Sequence, residues 1–252
     1  MRLYPLPLGE LCCDKGKVLS PGAGDGVRTH IPIVGYLGVT KAGRRIVVDT
    51  GMHRRHVDDP DATWRGTDAV TELTPVMRVQ DTVDYRLAEL GLRGADITDV
   101  INTHFHFDHA GNNDAFPNAT FHVQRSHYQA ATDNPSFPNQ YWRLPGLDYS
   151  LLDGEADLGD GLLVFPTPGH APGHQSVALR LDSGQNMILC GDAIYEEDNL
   201  RYDTWGGHAD PPQARQSAMA LLERGRDLNA VVLYGHDAGQ WQTVRKSPNW
   251  YE

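Results

Sequence analysis

Short apolar runs recur along the 252-residue chain, each closed by glycine, proline or polar residues. Runs of this kind, rich in β-branched and aromatic residues, predict buried strands. They lie at 31–39, 45–48, 99–102, 119–123, 162–165, 176–181, 186–190 and 230–234. Between some of them the spacing becomes helical. Val83, Leu87 and Leu90 share one face after Asp81, a residue type that caps helices, and Gly91 can end that segment. A second helix is predicted over 212–228, with Ala214, Ala218, Leu221, Leu222 and Leu228 as its apolar face. Strands mixed with helices predict a layered α/β protein, taken as one domain over residues 1–252. The stretches 52–80, 133–150 and 196–210 lack periodicity, and loops of that length in a compact domain are often binding loops. Their aromatics include Trp64, Tyr141 and Trp142, candidates for a pocket wall.

The run at 99–102 leads directly into Thr103-His104-Phe105-His106-Phe107-Asp108-His109-Ala110-Gly111, with three histidines and one aspartate inside six residues. Neutral imidazole and carboxylate are the preferred ligands of zinc and related ions. In extended backbone, residues two apart point the same way, so His104 and His106 can grip one ion. A turn after them would swing Asp108 and His109 toward a second. Further ligands stand just past other strand ends: Gly169-His170, Gly191-Asp192 and Gly235-His236, each with a glycine that permits a sharp turn. The resulting assignment gives His104, His106 and His170 to one metal and Asp108, His109 and His236 to another. Asp192 bridges the two, and a bridging hydroxide completes the pair.

This ligand order, His-x-His-x-Asp-His followed by His170, Asp192 and His236, resembles the metallo-β-lactamase superfamily. The likeness runs from Val48-Asp49-Thr50-Gly51 to Gly235-His236-Asp237. Met52, the Val123-Gln124-Arg125 strand end, Thr167-Pro168-Gly169-His170-Ala171-Pro172-Gly173-His174-Gln175-Ser176 and Asp192-Ala193-Ile194-Tyr195 are similar to the N-acyl-homoserine lactonases. The resemblance implies an αββα sandwich with a dinuclear site at one edge of its sheets. It implies opening of a lactone ring, with Tyr195 contacting the substrate oxygen and Asp108 moving a proton to the leaving alkoxide. Two divalent ions are implied, zinc first, with iron, cobalt or manganese as alternatives. Relatives that open 4-pyridoxolactone or γ-butyrolactone, or that cleave thioesters as glyoxalase II does, share most of these motifs and stay open as readings. A metal-binding module without catalysis is the non-enzyme alternative. Asp49, at the end of an apolar strand, is read as a partner that orients a ligand histidine. Phe107 and Met52 join Trp64, Tyr141 and Trp142 as pocket candidates. His174 is read as a buried, satisfied loop histidine, and His30, His53, His56, His122, His127 and His208 as ordinary side chains outside any motif.

Charge and cysteine content narrow the partners. Thirty-three acidic against 22 basic residues give a net charge of −11, which disfavours nucleic acid and anionic membrane as partners. A small lactone is the expected partner, and a homodimer stays open. Cys12, Cys13 and Cys190 read as reduced thiols of a cytoplasmic protein. The start of the chain, with Pro5 and Pro7, is a poor signal peptide, and no apolar run is long enough for a membrane span.

Overall fold

The computed structural model describes residues 1–252. Its strands are β1 (Arg2–Asp14), β2 (Arg28–Val39), β3 (Arg45–Val48), β4 (Leu73–Val76), β5 (Asp99–Ile101), β6 (Thr120–Gln124), β7 (Asp148–Leu152), β8 (Ala156–Asp157), β9 (Leu162–Pro166), β10 (Gln175–Arg180), β11 (Asn186–Leu189) and β12 (Ala230–Leu233). They form a seven-stranded sheet in the order β4-β1-β2-β3-β5-β6-β7 and a five-stranded sheet in the order β12-β11-β10-β9-β8. Both sheets are mixed. The first is antiparallel from β4 to β3 and parallel from β3 to β7, and the second is parallel only between β11 and β12.

The apolar runs are continuous because both faces of each sheet are covered. Alternate residues serve different layers, as strand geometry requires. Val34, Tyr36, Ile46, Val48 and Ile101 of the first sheet meet Val164, Val177, Leu179, Met187 and Leu189 of the second in the middle layer. The residues between them, Ile33, Leu37, Val47 and Val100, cluster with Val83 and Leu87 of the helix Val83–Glu89 on the outer side. Phe165, Ala178 and Ile188 do the same with Ala214, Ala218 and Leu221 of the helix Pro211–Asp227. The layer order is the expected αββα sandwich.

Several local expectations need correction. β1 was hidden by Pro5 and Pro7, which cannot donate to a ladder. β4 pairs only with Glu10 to Cys13, so these prolines face an open edge, where the Pro5 carbonyl accepts from the Ser247 N–H and the Pro7 carbonyl from Arg86 Nε. Asp81 does not cap the next helix. Its carboxylate accepts from the Arg78 N–H and closes the preceding turn, while Thr82 caps Val83–Glu89. Leu228 lies just past its helix and is exposed rather than on the apolar face. The stretches without periodicity are not structureless: they hold β4, part of β7, and the short helices Asn139–Trp142 and Glu197–Arg201.

Candidate metal centre

Every candidate ligand sits on a connection leaving one end of a strand. His104 to His109 come after β5, His170 after β9, Asp192 after β11 and His236 after β12. The His104–His109 segment starts extended and then turns, with the N–H groups of His109 and Ala110 both bonding the His106 carbonyl. That turn separates the ligands into two sets. His104 Nε2, His106 Nδ1 and His170 Nε2 lie 2.9–3.0 Å apart. Three nitrogens around a tetrahedral zinc with ~2.05 Å bonds would be spaced by roughly 3.3 Å, close to what is seen. The second set is Asp108, His109 and His236, with Asp108 Oδ2 at 3.5 Å from His109 Nε2 and 3.7 Å from His236 Nε2. Asp192 stands between them. Its Oδ2 is 3.3 Å from His170 Nε2, and its Oδ1 is 3.2 Å from both His109 Nε2 and His236 Nε2.

Four of these histidines have a hydrogen-bond partner on the nitrogen facing away from the centre. His104 Nδ1 bonds Thr103 Oγ1, which itself donates to Asp49 Oδ2. His109 Nδ1 donates to Asp49 Oδ2 at 2.8 Å, and His236 Nδ1 to the Pro32 carbonyl at 3.0 Å. His170 Nδ1 bonds the Tyr195 hydroxyl at 2.8 Å, and that hydroxyl donates to the Gly207 carbonyl. A neutral imidazole with its proton on one nitrogen offers only a lone pair on the other. The Nε2 atoms of His104 and His170, 3.0 Å apart, are therefore acceptors facing each other. His109 Nε2 and Asp192 Oδ1 are buried with no hydrogen-bond partner at all. Such an arrangement is costly unless a cation satisfies it, so the residues fit a pair of metal ions.

Electrostatics point the same way. Burial and the neighbouring histidines hold His104 well below the usual imidazole range, and burial pushes His106 down to about 4, so both stay neutral. Burial alone would raise Asp192, but His109, His236 and His170 hold it well below the usual carboxylate range. Burial would lower His109 and His236, yet Asp192 and Asp108 raise them. That half of the site draws positive charge.

Asp49 lies within hydrogen-bond reach of His109. It is buried in a left-handed conformation at φ 55°, and its carboxylate takes the Thr103 N–H, the Thr103 hydroxyl and His109. His174 is buried and satisfied as expected, and it also accepts the Asp192 N–H at 3.0 Å, which fixes the Asp192 backbone. His127 is not an idle side chain. Its Nε2 accepts the Phe105 N–H and its Nδ1 donates to the Pro172 carbonyl, tying the His104 segment to the His170 segment. His174 was signalled by its place in the same turn as His170, whereas nothing in the spacing marked His127.

Above the ligands opens a cavity of ≈ 470 Å³. Its floor is His106, Asp108, His170, Asp192, Tyr195 and His236, and its walls include Leu11, Val18, Leu19, Ile31, Leu73, Trp64 and Phe107. Trp64 and Phe107 thus line it, edge to face at 5.4 Å. Met52, Tyr141 and Trp142 do not: each is at most 2% exposed and packed in the core. Large apolar side chains near a site are more often its foundation than its wall. Trp142 stacks on Phe105 at 4.3 Å and Tyr141 bonds Thr63, so both brace loops that carry lining residues.

Residues 35–236 match the family model described as the metallo-beta-lactamase superfamily. The chain belongs to that superfamily. Among curated relatives, N-acyl homoserine lactonase AiiA of Bacillus thuringiensis subsp. kurstaki is 31% identical over 252 residues, covering 99% of this chain and 98% of the relative. N-acyl homoserine lactonase AttM of Rhizobium radiobacter is 34% identical over 265 residues, covering 100% and 98%. A solved N-acyl homoserine lactone hydrolase, with the product N-hexanoyl-L-homoserine at its catalytic metal center, superposes with a TM-score of 0.92 at 30% identity, covering 99% of this chain and 98% of that one. Within the superfamily the chain therefore falls in the N-acyl homoserine lactonase family, and its sandwich is the metallo-β-lactamase fold. AidC, a dizinc quorum-quenching lactonase, shares the fold at a TM-score of 0.69 and 18% identity.

Proposed function

We propose that this member of the superfamily is a hydrolase that opens the lactone ring of N-acyl homoserine lactones, using two divalent metal ions. The observation that carries the reading is Asp192, one oxygen facing each ligand set, beneath a cavity with apolar walls. The named activity of full-length relatives above 30% identity supports it. His104, His106 and His170 would hold one ion, Asp108, His109 and His236 the other, and Asp192 both. Zinc suits this nitrogen and oxygen set best. When bound, the ions polarise the lactone carbonyl and lower the pKa of the attacking water.

The protein's own groups do the rest. Burial pushes the Tyr195 phenol well above its ordinary pKa, so it remains a donor. It receives the His170 Nδ1 proton as a hydrogen bond, which polarises its O–H further. On substrate arrival the hydroxyl turns from the Gly207 carbonyl to the developing oxyanion. Asp108, on the cavity floor, would take a proton from the attacking water and pass it to the ring oxygen as the ester C–O bond breaks. Leu11, Val18, Leu19, Ile31 and Leu73 take the acyl tail.

The active unit is the whole span 1–252, because the first sheet supplies His104 to His109 and the second supplies His170, Asp192 and His236. A cytoplasmic setting fits the free thiols of Cys12, Cys13 and Cys190. No helix is long and apolar enough to cross a membrane. The test is a pH-stat assay of metal-free and zinc- or cobalt-loaded protein on N-acyl homoserine lactones, γ-butyrolactone, 4-pyridoxolactone and a glutathione thioester. Metal-dependent acid release that is fastest on N-acyl homoserine lactones is expected. Turnover of only the thioester or 4-pyridoxolactone would reassign the substrate.

A further inference from the structure

The cavity changes character from floor to mouth. The floor residues other than the half-buried His106, and the wall residues Leu11, Leu19, Ile31 and Phe107, are almost fully buried. At the mouth stand two charged side chains that also line it, Lys17 and Glu72, 66% and 51% exposed. Their heads approach to 3.5 Å. They reach the mouth from separate segments. Lys17 sits in the turn Lys15–Val18 after β1, and Glu72 in the turn Ala69–Glu72 before β4. Pairing of β1 with β4, Cys13 opposite Leu73, puts both turns at the same end of the apolar groove.

The base of Lys17 is fixed. Lys15 Nζ binds Asp198 and Glu196, Ser20 Oγ donates to Glu196, and the Leu19 carbonyl accepts from Asn199. A lysine stem can lie over apolar surface while its ammonium stays in water. The Lys17–Glu72 pair stands at the mouth, each residue next in the chain to an apolar lining residue, Val18 and Leu73.

We propose that Lys17 and Glu72 form a clasp that sets the acyl-chain preference, resting on the reading of the site as a lactonase. A tail that ends inside the groove leaves the pair intact and is covered by its stems. A tail that runs past the mouth must part the pair and lay carbon against two charged heads. An exposed pair is weak, so the clasp grades tails by length and does not bar them. The penalty falls on binding, hence on KM, because neither residue touches the reacting atoms.

The experiment uses metal-loaded protein and straight-chain substrates with acyl groups of four, eight and twelve carbons. Turnover is measured on the lactones, and binding of the ring-opened N-acyl-homoserines by calorimetry. The variants are Lys17→Met, Glu72→Gln and the charge exchange Lys17→Glu with Glu72→Lys. Each single variant is expected to raise the twelve- over four-carbon ratio of kcat/KM two- to fivefold through KM, with kcat unchanged. The charge exchange should restore the wild-type ratio. Half-molar salt should shift wild type toward the single variants and leave them unmoved. The product-binding ratios should show the same order. Ratios that are flat across variants and salt, or an exchange that behaves like the single variants, would overturn the clasp. Absence of lactone turnover with product-binding ratios that still respond would overturn the lactonase reading and leave the clasp standing.

Discussion

Replacing Asp49 by asparagine changes one oxygen to an amide nitrogen, and each orientation of that amide breaks a different hydrogen bond. The carboxylate accepts the Thr103 N–H on Oδ1, and the Thr103 hydroxyl and His109 Nδ1–H on Oδ2. If the amide keeps its oxygen toward the Thr103 N–H, its NH₂ faces two donors. His109 must then move its proton to Nε2, or the Thr103 hydroxyl must reverse and donate to His104 Nδ1, moving that proton to Nε2. Either way a lone pair at the centre is lost. Loss of such an outer partner costs roughly 10- to 100-fold in metal affinity, about 1.4–2.7 kcal/mol. If the amide flips, the buried Thr103 N–H meets a donor, and the metal-free fold loses about 1–3 kcal/mol. Chelator competition measures the first loss and thermal unfolding of the metal-free protein the second. Asp49→Asn is expected to show at least one of them, with turnover down in step with occupancy of the His109 site. Wild-type metal affinity together with wild-type stability would refute the argument that Asp49 sets these tautomers.

Three other substitutions probe separate links. Tyr195→Phe removes the acceptor of His170 Nδ1 as well as the substrate donor, so metal affinity should fall roughly 10- to 100-fold and kcat at saturating metal about 100-fold or more, the cost of one oxyanion donor; unchanged kcat would remove Tyr195 from the chemistry. Gly235→Ala places a Cβ 2.6 Å from the Gly191 carbonyl and 2.9 Å from Asp192 Oδ1, so it should displace Asp192 and abolish binding of the second ion, read by metal titration. Asp99→Asn removes the charge and one of the two oxygens that accept from Arg44, His122 and Thr98, with an expected loss of about 1.5–3 kcal/mol at pH 7. Burial would raise Asp99, but His122 and Arg44 hold it well below its usual value. A depressed carboxylate stabilises the fold above its unfolded pKa and loses that contribution as pH falls through the folded value. The melting gap between wild type and Asp99→Asn should thus be full at pH 6 and shrink below about pH 4; a gap undiminished at pH 2 would contradict it.

The sandwich was legible because its strands are buried on both faces and so read as unbroken apolar runs. β1 was not, because two prolines at an open edge mimic a loop until their carbonyl partners, Ser247 and Arg86, are known. The ligands were legible because metal binding demands particular atoms at strand ends, and glycine marks three of those ends. Met52, Tyr141 and Trp142 misled for a general reason. Sequence shows that a loop carries large side chains but not whether they point to the cavity or to the core behind it. His127 was missed because its contribution is a hydrogen bond to a backbone group 22 residues away, which no local pattern encodes.

What makes the centre specific is the placement of protons as much as that of ligands. Each of four histidines is held by a hydrogen bond on the nitrogen facing away from the centre. The acceptors are the Thr103 hydroxyl, Asp49, the Tyr195 hydroxyl and the Pro32 carbonyl. They come from the strand ends of β3 and β5, from β2, and from the segment after β11. A shift of any one of these elements would free a proton to return to the centre, where it competes with metal. The fold therefore sets metal affinity through tautomers. In the proposed reaction Tyr195 occupies the one position where the same atom serves both tasks, holding the His170 tautomer and donating to substrate. Its donation to substrate leaves the His170 bond in place, since the hydroxyl accepts from His170 with a lone pair and gives its own proton elsewhere. Catalysis can then proceed without loosening the ligand set.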